Sequence, residues 1–275
     1  MSVLPAAPPD ASAERTSPLA ELALLARRIG AMCLVELQKL RHDRTELVTR
    51  TVQPALWLVV FGTTFSRIHA IPTGSTPYLD FLAPGILAQS ALFIAIFYGI
   101  QVIWERDAGV LAKLLVTPTP RSALVASKAF AAGLRALVQA LVVVVIALLL
   151  GVGMTANPLK LLGAAAAVVL GSAFFCCFSI TLAGLVLKRD RLMGIGQAIT
   201  MPLFFASNAL YPVAIMPTWL QWITYVNPLS YEVDALRGLL IGTPARLGLD
   251  FLVLAVAAAA MITIASAILP RLARG

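Results

Sequence analysis

Residues with catalytic or metal-binding side chains are sparse in this sequence, and they are not grouped as such chemistry requires. The two histidines, His42 and His69, have no partners at metal-ligand spacings. Adjacent Cys176 and Cys177 lie in an apolar run, where buried thiols pack as small hydrophobic groups. No phosphate loop of the form GxxxxGKS or GxxxxGKT occurs. The sequence therefore predicts no catalytic residue, metal ion or cofactor on this chain.

One short charged segment, WERDAGVLAKLLVTPTP at residues 104–120, lies between two long apolar runs. Its middle part, residues 109–116, predicts a brief helix that the following prolines end. That helix carries an apolar ridge flanked by charges, formed by Leu111, Leu114 and Leu115. An exposed ridge of this kind fits a groove in a soluble partner. The alternative is that the ridge packs on the helix ends of this protein itself.

The composition indicates which elements must position this segment. Charged residues make up only 12% of the chain, about half of the share in soluble domains, and the mean hydropathy is +0.90. These values predict an integral membrane protein. Lipid favours helices over strands because every backbone group must be satisfied internally. The predicted fold is all-α, with six transmembrane helices drawn from the charge-free stretches 51–66, 81–104, 136–159, 161–187, 192–231 and 251–270.

The basic residues follow the positive-inside pattern, so the net charge of +8 does not indicate nucleic-acid binding. This pattern predicts a multi-pass protein of the plasma membrane with both termini in the cytoplasm. Residues 1–18 are expected to be disordered. Residues 19–44 predict an amphipathic interfacial helix, with an extension of the first span as the alternative. Residues 45–270 form the predicted transmembrane domain, and residues 271–275 a cytoplasmic tail.

The stretch 192–231 is too long for one crossing and is broken by four prolines. We expect a fifth span at residues 192–210 and then an external re-entrant hairpin at about 212–242, whose two short helices meet at Asn227-Pro228. Asp234 and Arg237 have the i, i+3 spacing of a pair, which would either brace the hairpin or contact substrate.

Single residues inside the predicted spans also lead to predictions. Arg135 lies inside the third span and either marks a pathway or snorkels to the cytoplasm. Gly163, Gly171 and Gly184 in the fourth span predict close helix packing.

Two segments together resemble the permease of the ABC type-2 exporter family, in the branch of the daunorubicin-resistance and nodulation-factor export permeases. They are WERDAGVLAKLLVTPTPRSALVASK and NALYPVAIMPTWLQWITYVNPLSYEVDALRGLL. In that family the first forms the coupling helix, here about 105–118, which docks on the ATPase. Its matching positions are Glu105, Arg106, Gly109, Leu111, Leu114, Leu115, Thr117 and Pro118. The second forms the re-entrant hairpin, with matches at Tyr211, Pro212, Pro217, Asn227, Pro228, Tyr231, Asp234 and Arg237.

The sequence departs from the family at Lys113, where an acidic residue is common, and at Ser127, where glycine often precedes the lysine. These departures affect which charges of the partner are met. The resemblance implies the permease subunit of an ATP-driven exporter that moves a drug, lipid or lipid-linked glycan outward across the bacterial cytoplasmic membrane. It implies two permeases, identical or sister chains, above two P-loop ATPase subunits that bind ATP and Mg.

The expected pathway residues are apolar or weakly polar: Gln89, Phe93, Phe97, Gln101, Phe204, Phe205 and Asn208. Because the aromatic residues in the middle of the spans are mostly Phe, an amphiphilic substrate is favoured. Two other classes of protein are alternatives to the exporter. An ATP-independent carrier or channel often has carboxylates within its spans, and no Asp or Glu falls inside a predicted span here. An intramembrane enzyme would need catalytic groups within the spans, and both histidines lie outside them.

Overall fold

The computed structural model describes residue 30 and residues 44–68, 71–74, 76–116 and 120–274, and every regular element in these ranges is helical. The chain order is α1 (Arg44–Leu56), a π-helical segment (Trp57–Gly62), α2 (Thr63–Ile68), α3 (Tyr78–Ile100), α4 (Val102–Asp107), α5 (Val110–Leu115), α6 (Arg121–Leu149), α7 (Pro158–Val186), α8 (Arg189–Phe205), a 3-10 turn (Val213–Ile215), α9 (Thr218–Val226), α10 (Pro228–Leu240) and α11 (Leu247–Arg274).

Four helical stretches among the described residues are long and apolar enough to cross a membrane. They are Tyr78–Asp107, which joins α3 and α4, then α6, α7, and Leu247–Leu272 within α11. The predicted all-helical membrane class is thereby confirmed, whereas the predicted count of six spans stays a prediction. Helix α8 has 17 residues, which extend about 26 Å at 1.5 Å per residue. The helical stretch 44–68 is also absent from these four.

Helix α3 lies at the centre of the packed helices, and most of its side chains are buried. Close packing around it and around α7 depends on small residues, as predicted for Gly163, Gly171 and Gly184. Gly163 faces Leu239 of α10, Gly171 faces Glu232 of α10, and Gly184 faces Ile268 of α11. That packing prediction is confirmed, because a side chain at any of the three would meet a neighbouring helix.

Two Asn-Pro pairs set the beginnings of α7 and α10. Asn157 accepts a hydrogen bond from the Leu159 N–H at 2.9 Å, and Asn227 accepts one from the Leu229 N–H at 3.1 Å. The proline that follows each asparagine is at the first helical position, where its missing N–H costs nothing. The predicted division into two short helices at Asn227-Pro228 is confirmed, since α9 ends at Val226 and α10 begins at Pro228; the re-entrant hairpin itself stays a prediction.

The predictions for the two ends of the chain fall partly outside the described residues. The disordered segment 1–18 lies outside the described residues, as does the interfacial helix 19–44 except for Gly30 and Arg44. Helix α11 continues through Pro270 to Arg274, and the domain boundary at residue 270 stays a prediction. Leu269 and Leu272 are buried against the rest of the protein, and this packing holds the last turns in the helix.

A helix contact against backbone that can be tested by one methyl group lies at Gly99 of α3. A Cβ there would lie 2.6 Å from the Cys176 carbonyl oxygen and 2.7 Å from the Ser179 Cβ. We expect Gly99→Ala to force α3 and α7 apart and to destabilise the protein by about 1–3 kcal/mol, the cost of overpacking. Thermal unfolding of the purified protein measures this change.

The matched control is Gly194→Ala in α8, where a Cβ meets no atom within 4 Å. There the methyl group improves helix propensity by up to about 1 kcal/mol, so the melting temperature should stay or rise. Equal melting temperatures for the two variants would contradict the packing between α3 and α7.

Candidate functional site

The segment 104–116 forms a corner beyond the end of α3. Helix α4 ends at Asp107, and α5 begins after Gly109, whose φ of 72° lies in the left-handed region that favours glycine. Glu105 accepts a hydrogen bond from the Lys128 ammonium of α6 at 2.6 Å. The Lys128 side chain is nearly buried in this ion pair. The pair fixes the beginning of the corner to the first turns of α6.

A second anchor joins the corner to the end of α7. The Arg106 guanidinium donates a hydrogen bond to the Leu187 carbonyl at 2.9 Å and pairs with Asp107 at 2.8 Å. The Arg189 guanidinium lies 5.0 Å from the Trp104 ring centroid, within the range of a cation–π contact. Helices α6, α7 and α8 therefore all hold the residues that lead into α5.

The exposed surface of α5 differs from the predicted apolar ridge. Leu111 is only 2% exposed and belongs to the hydrophobic core, so the prediction that it forms an exposed ridge is wrong. The reason is the sharp corner at Gly109, which turns the Leu111 face of the short helix toward the protein. Leu114 is partly buried. Among the described residues the exposed large apolar side chains here are Val110 at 44% and Val116 at 84%.

Some of the predicted coupling residues have no described surroundings. The side chain of Leu115 lies outside the described residues, and so do Thr117 and Pro118 entirely. Lys113 and Ala112 are exposed on α5. The docking role of the segment therefore stays a prediction.

The second predicted site, at the turn between α8 and α10, is organised by Arg237. Its guanidinium donates hydrogen bonds to the carbonyl oxygens of Phe81 at 3.1 Å, Asn208 at 2.7 Å and Ala209 at 3.1 Å. It also lies 3.5 Å from the Phe81 ring centroid. One buried side chain thus satisfies the irregular backbone after α8 and ties it to the start of α3.

Asp234 bonds to a different residue from the predicted one. It accepts a hydrogen bond from the Asn208 amide at 2.6 Å. The side chains at positions 234 and 237 therefore both bond to the turn after α8 instead of forming a close ion pair with each other, although their opposite charges interact. Both residues brace the hairpin, because the carbonyls and amide of the turn offer closer partners than either side chain offers the other.

The remaining hairpin residues also support backbone groups. The Asn227 amide donates to the carbonyl oxygens of Leu203 at 2.7 Å and Ala206 at 3.2 Å. The Tyr211 hydroxyl donates to the Phe205 carbonyl at 2.6 Å, and the Tyr231 hydroxyl donates to the Tyr225 carbonyl at 2.7 Å. Prolines precede or begin three of the short elements, at Pro212, Pro217 and Pro228.

The structure divides the predicted pathway residues among five places. Gln89, Phe93 and Phe97 line one cavity of about 380 Å³ between α1, α3 and α6. Phe204 is fully buried against Trp57, with ring centroids 5.7 Å apart. Phe205 lines a separate apolar groove beside α9. Asn208 belongs to the hairpin network, and Gln101 lies at the junction of α3 and α4. Their role as pathway residues stays a prediction.

Two further polar residues, Arg135 and Glu232, are buried in the apolar region. The Arg135 guanidinium is buried and lies 4.9 Å from the Tyr98 ring centroid; the choice between a pathway residue and a snorkelling residue stays a prediction. Glu232 in α10 is completely buried against Gly171. Neither of its carboxylate oxygens has a hydrogen-bond partner among the described residues. Its spacing with Leu229, Val233 and Leu236 on one helical face was the signal for this burial.

Comparison with known proteins gives a consistent result. A family model described as ABC-2 type transporter matches residues 27–241. The chain is 31% identical over 209 residues to a putative transport permease ycf38 of Cyanophora paradoxa, covering 72% of this chain and 69% of that protein. It is 26% identical to the daunorubicin resistance ABC transporter permease protein DrrB1 of Streptomyces coeruleorubidus, covering 74% and 71%. It is 28% identical to nodulation protein J of Rhizobium leguminosarum bv. trifolii, covering 72% and 75%.

The hairpin network predicts a large cost for removing Arg237. We expect Arg237→Met to leave three backbone carbonyls without their donor and to destabilise the protein by about 3 kcal/mol or more. Thermal unfolding of the purified protein measures the loss. Arg246→Met is the matched control, because Arg246 is exposed on the connection to α11 and should change stability by less than about 0.5 kcal/mol. Similar stability of the two variants would contradict the bracing role.

Proposed function

This chain belongs to the ABC-2 type transporter family, and from that membership we propose that it is the permease subunit of an ATP-driven exporter. Permeases of this family are non-catalytic transmembrane subunits, and the ATPase lies on a separate partner. We propose that two P-loop ATPase subunits, with ATP and Mg, associate with two permeases. The permeases are either two copies of this chain or this chain and a sister permease.

The proposed substrate is an amphiphile that moves outward across the bacterial cytoplasmic membrane. Two relatives are named for daunorubicin resistance and nodulation, and we extend from them a drug, lipid or lipid-linked glycan as the substrate class for this chain. The apolar lining by Phe93 and Phe97, with glutamines beside them, supports a substrate that has both apolar and polar parts.

The proposed arrangement in the membrane has six spans, with both termini in the cytoplasm. The four apolar helical stretches are joined by the helical stretch 44–68 as the first span and by α8 as the fifth. The short helices α9 and α10 form the re-entrant hairpin on the outer side. The hydrogen bonds from Arg237 and Asn227 to backbone carbonyls support this, because irregular backbone at membrane depth must be covered by protein.

The observation that carries the proposal is the double anchoring of the corner before α5. The bond between Glu105 and Lys128 and the bond between Arg106 and the Leu187 carbonyl attach it to two different helices. A soluble ATPase that docks on the exposed side of α5 would therefore move α6 and α7 directly. The exposed valines at 110 and 116, together with Lys113, are the surface we propose for that docking.

The docking proposal is tested by placing charge on this surface. We expect Val110→Asp together with Val116→Asp to remove the apolar contact and to abolish co-purification of the ATPase, while the permease stays folded. Both side chains are exposed, so the change should cost the isolated permease less than about 1 kcal/mol. Co-purification with the P-loop ATPase and ATP turnover in the presence of candidate amphiphiles are the measurements.

The control for the docking test is Ala214→Asp, at an exposed position in the 3-10 turn on the proposed outer side. It should leave ATPase recruitment unchanged. Normal recruitment by the double variant would refute the docking surface, and loss of recruitment in both variants would indicate a general folding defect.

The proposed topology is tested by labelling single cysteines from one side of the membrane. The background is Cys33→Ser, since Cys176 and Cys177 are fully buried and should not react. We expect Lys113→Cys to react with a membrane-impermeant maleimide only after the cells are opened, and Ala214→Cys to react in intact cells. The reverse pattern would place the coupling segment outside and would exclude contact with a cytoplasmic ATPase.

A further inference from the structure

The cavity between α1, α3 and α6 contains polar groups that the protein itself leaves unused. Gln139 of α6 and Gln89 of α3 are each only 1% exposed. Among the described residues, neither polar atom of the Gln139 carboxamide has a hydrogen-bond partner, and the Gln89 amide nitrogen also has none. Both side chains line the same cavity of about 380 Å³. Leaving a buried carboxamide unpaired costs about 1–3 kcal/mol, so two in one cavity indicate a missing partner.

These carboxamides lie deep in the protein. Gln89 is eleven residues from the Tyr78 end of α3, and Gln139 is ten residues from the Leu149 end of α6. At 1.5 Å per residue both lie about 16 Å from those helix ends, which is about half of a 30 Å hydrocarbon core. Water is scarce at that depth, and the partner must therefore enter with an apolar part of its own.

Helix α1 supplies the third wall and a path for that apolar part. Gln53 and Pro54 line the cavity, and Pro54 has no N–H to donate to the carbonyl of Arg50. Gln53 also lines an adjoining apolar groove of about 430 Å³, together with Leu56, Trp57 and Phe61. The cavity and the apolar groove thus meet at two residues of α1, Thr49 and Gln53.

The chemistry of the lining selects for an uncharged polar group. A carboxamide both donates and accepts hydrogen bonds, which suits hydroxyl and carbonyl groups. Among the described residues no Asp, Glu or Lys lines the cavity, and Arg50, a charged residue that does, already has an interaction partner. Phe93 and Phe97 stack at 6.3 Å on the remaining wall and offer apolar surface beside the glutamines.

We propose that this cavity binds the uncharged hydroxyl- or carbonyl-bearing part of an amphiphile through Gln89 and Gln139, while its apolar chain lies in the groove formed by Leu56, Trp57 and Phe61. The assignment rests on the proposed export function and names the substrate class that this function would carry. A cargo molecule and a resident membrane lipid share this chemistry, and ATP turnover distinguishes the two sources.

The test uses the full-length permease with its ATPase in lipid nanodiscs and three probes that share one ten-carbon chain. Monodecanoylglycerol is uncharged and carries hydroxyl and ester carbonyl groups, decanoate is an anion, and decyltrimethylammonium is a cation. We expect only monodecanoylglycerol to raise the melting temperature of the permease in a saturable manner. A rise in ATP turnover with the same probe identifies the class as cargo, and saturable binding without such a rise identifies a resident lipid; both results support the cavity.

The variants are Gln89→Leu and Gln139→Leu. Each should raise the probe concentration for the half-maximal shift by about tenfold, the effect of one lost hydrogen bond of about 1.4 kcal/mol. Without probe, each variant should be as stable as the parent or more stable, because leucine removes an unpaired buried amide. This second measurement separates loss of binding from loss of folding.

The matched control is Gln197→Leu, at an exposed glutamine of α8 that lines none of these cavities, and it should leave the half-maximal concentration unchanged. Equal binding of all three probes, or equal binding by all variants, would overturn the assignment of the cavity. ATPase recruitment is measured on the same samples. Normal recruitment without selective binding refutes the cavity alone, and absent recruitment with selective binding refutes the proposed export function alone.

Discussion

Hydrocarbon offers no hydrogen-bond partner, and this constraint explains where the few polar residues of the chain lie. After α8 the backbone leaves helical geometry, so its carbonyl groups need donors from the protein. Arg237 supplies donors to Asn208 and Ala209, and Asn227 supplies them to Leu203 and Ala206. Polar side chains that would otherwise be candidates for substrate contact therefore donate their hydrogen bonds to backbone carbonyls. By the same reasoning, a buried carboxamide without a partner, such as Gln139, requires a different explanation.

At the other end of the molecule, charge serves attachment rather than catalysis. Lys128 is nearly buried in its bond with Glu105, and breaking such a pair by removing one partner is costly. The Arg106 guanidinium donates a hydrogen bond to the carbonyl of Leu187. Leu187 caps the C-terminal end of α7 and has a φ of 56°. These bonds attach the short helix α5 to α6 and α7 through side chains that are costly to separate. A force applied to α5 is consequently passed to long helices instead of being absorbed by a flexible loop.

The sequence was sufficient for the features that depend on local chemistry and on composition. The all-helical membrane class followed from the shortage of charge, and the division at Asn227-Pro228 followed from proline geometry. The burial of Leu111 could not be predicted, since the Gly109 corner decides which face of α5 turns inward. The partners of Asp234 and Arg237 also depend on a turn 26 to 29 residues earlier in the chain. Helical spacing alone favoured the nearer pairing, and tertiary packing overrode it.

Helix α3 connects these separate features. Together with α4 it forms a 30-residue stretch from Tyr78 to Asp107. Its Tyr78 end is bonded to α10 and the turn after α8, because Arg237 donates to the Phe81 carbonyl and Gly85 lies against the backbone of Ala209. Its middle carries Gln89 on the cavity wall, and at its other end α4 leads into the anchored corner. Since the interior is close-packed and transmits displacement, a movement of the corner changes the cavity and the hairpin together. One helix thereby links the anchored corner, the cavity wall and the turn that Arg237 holds.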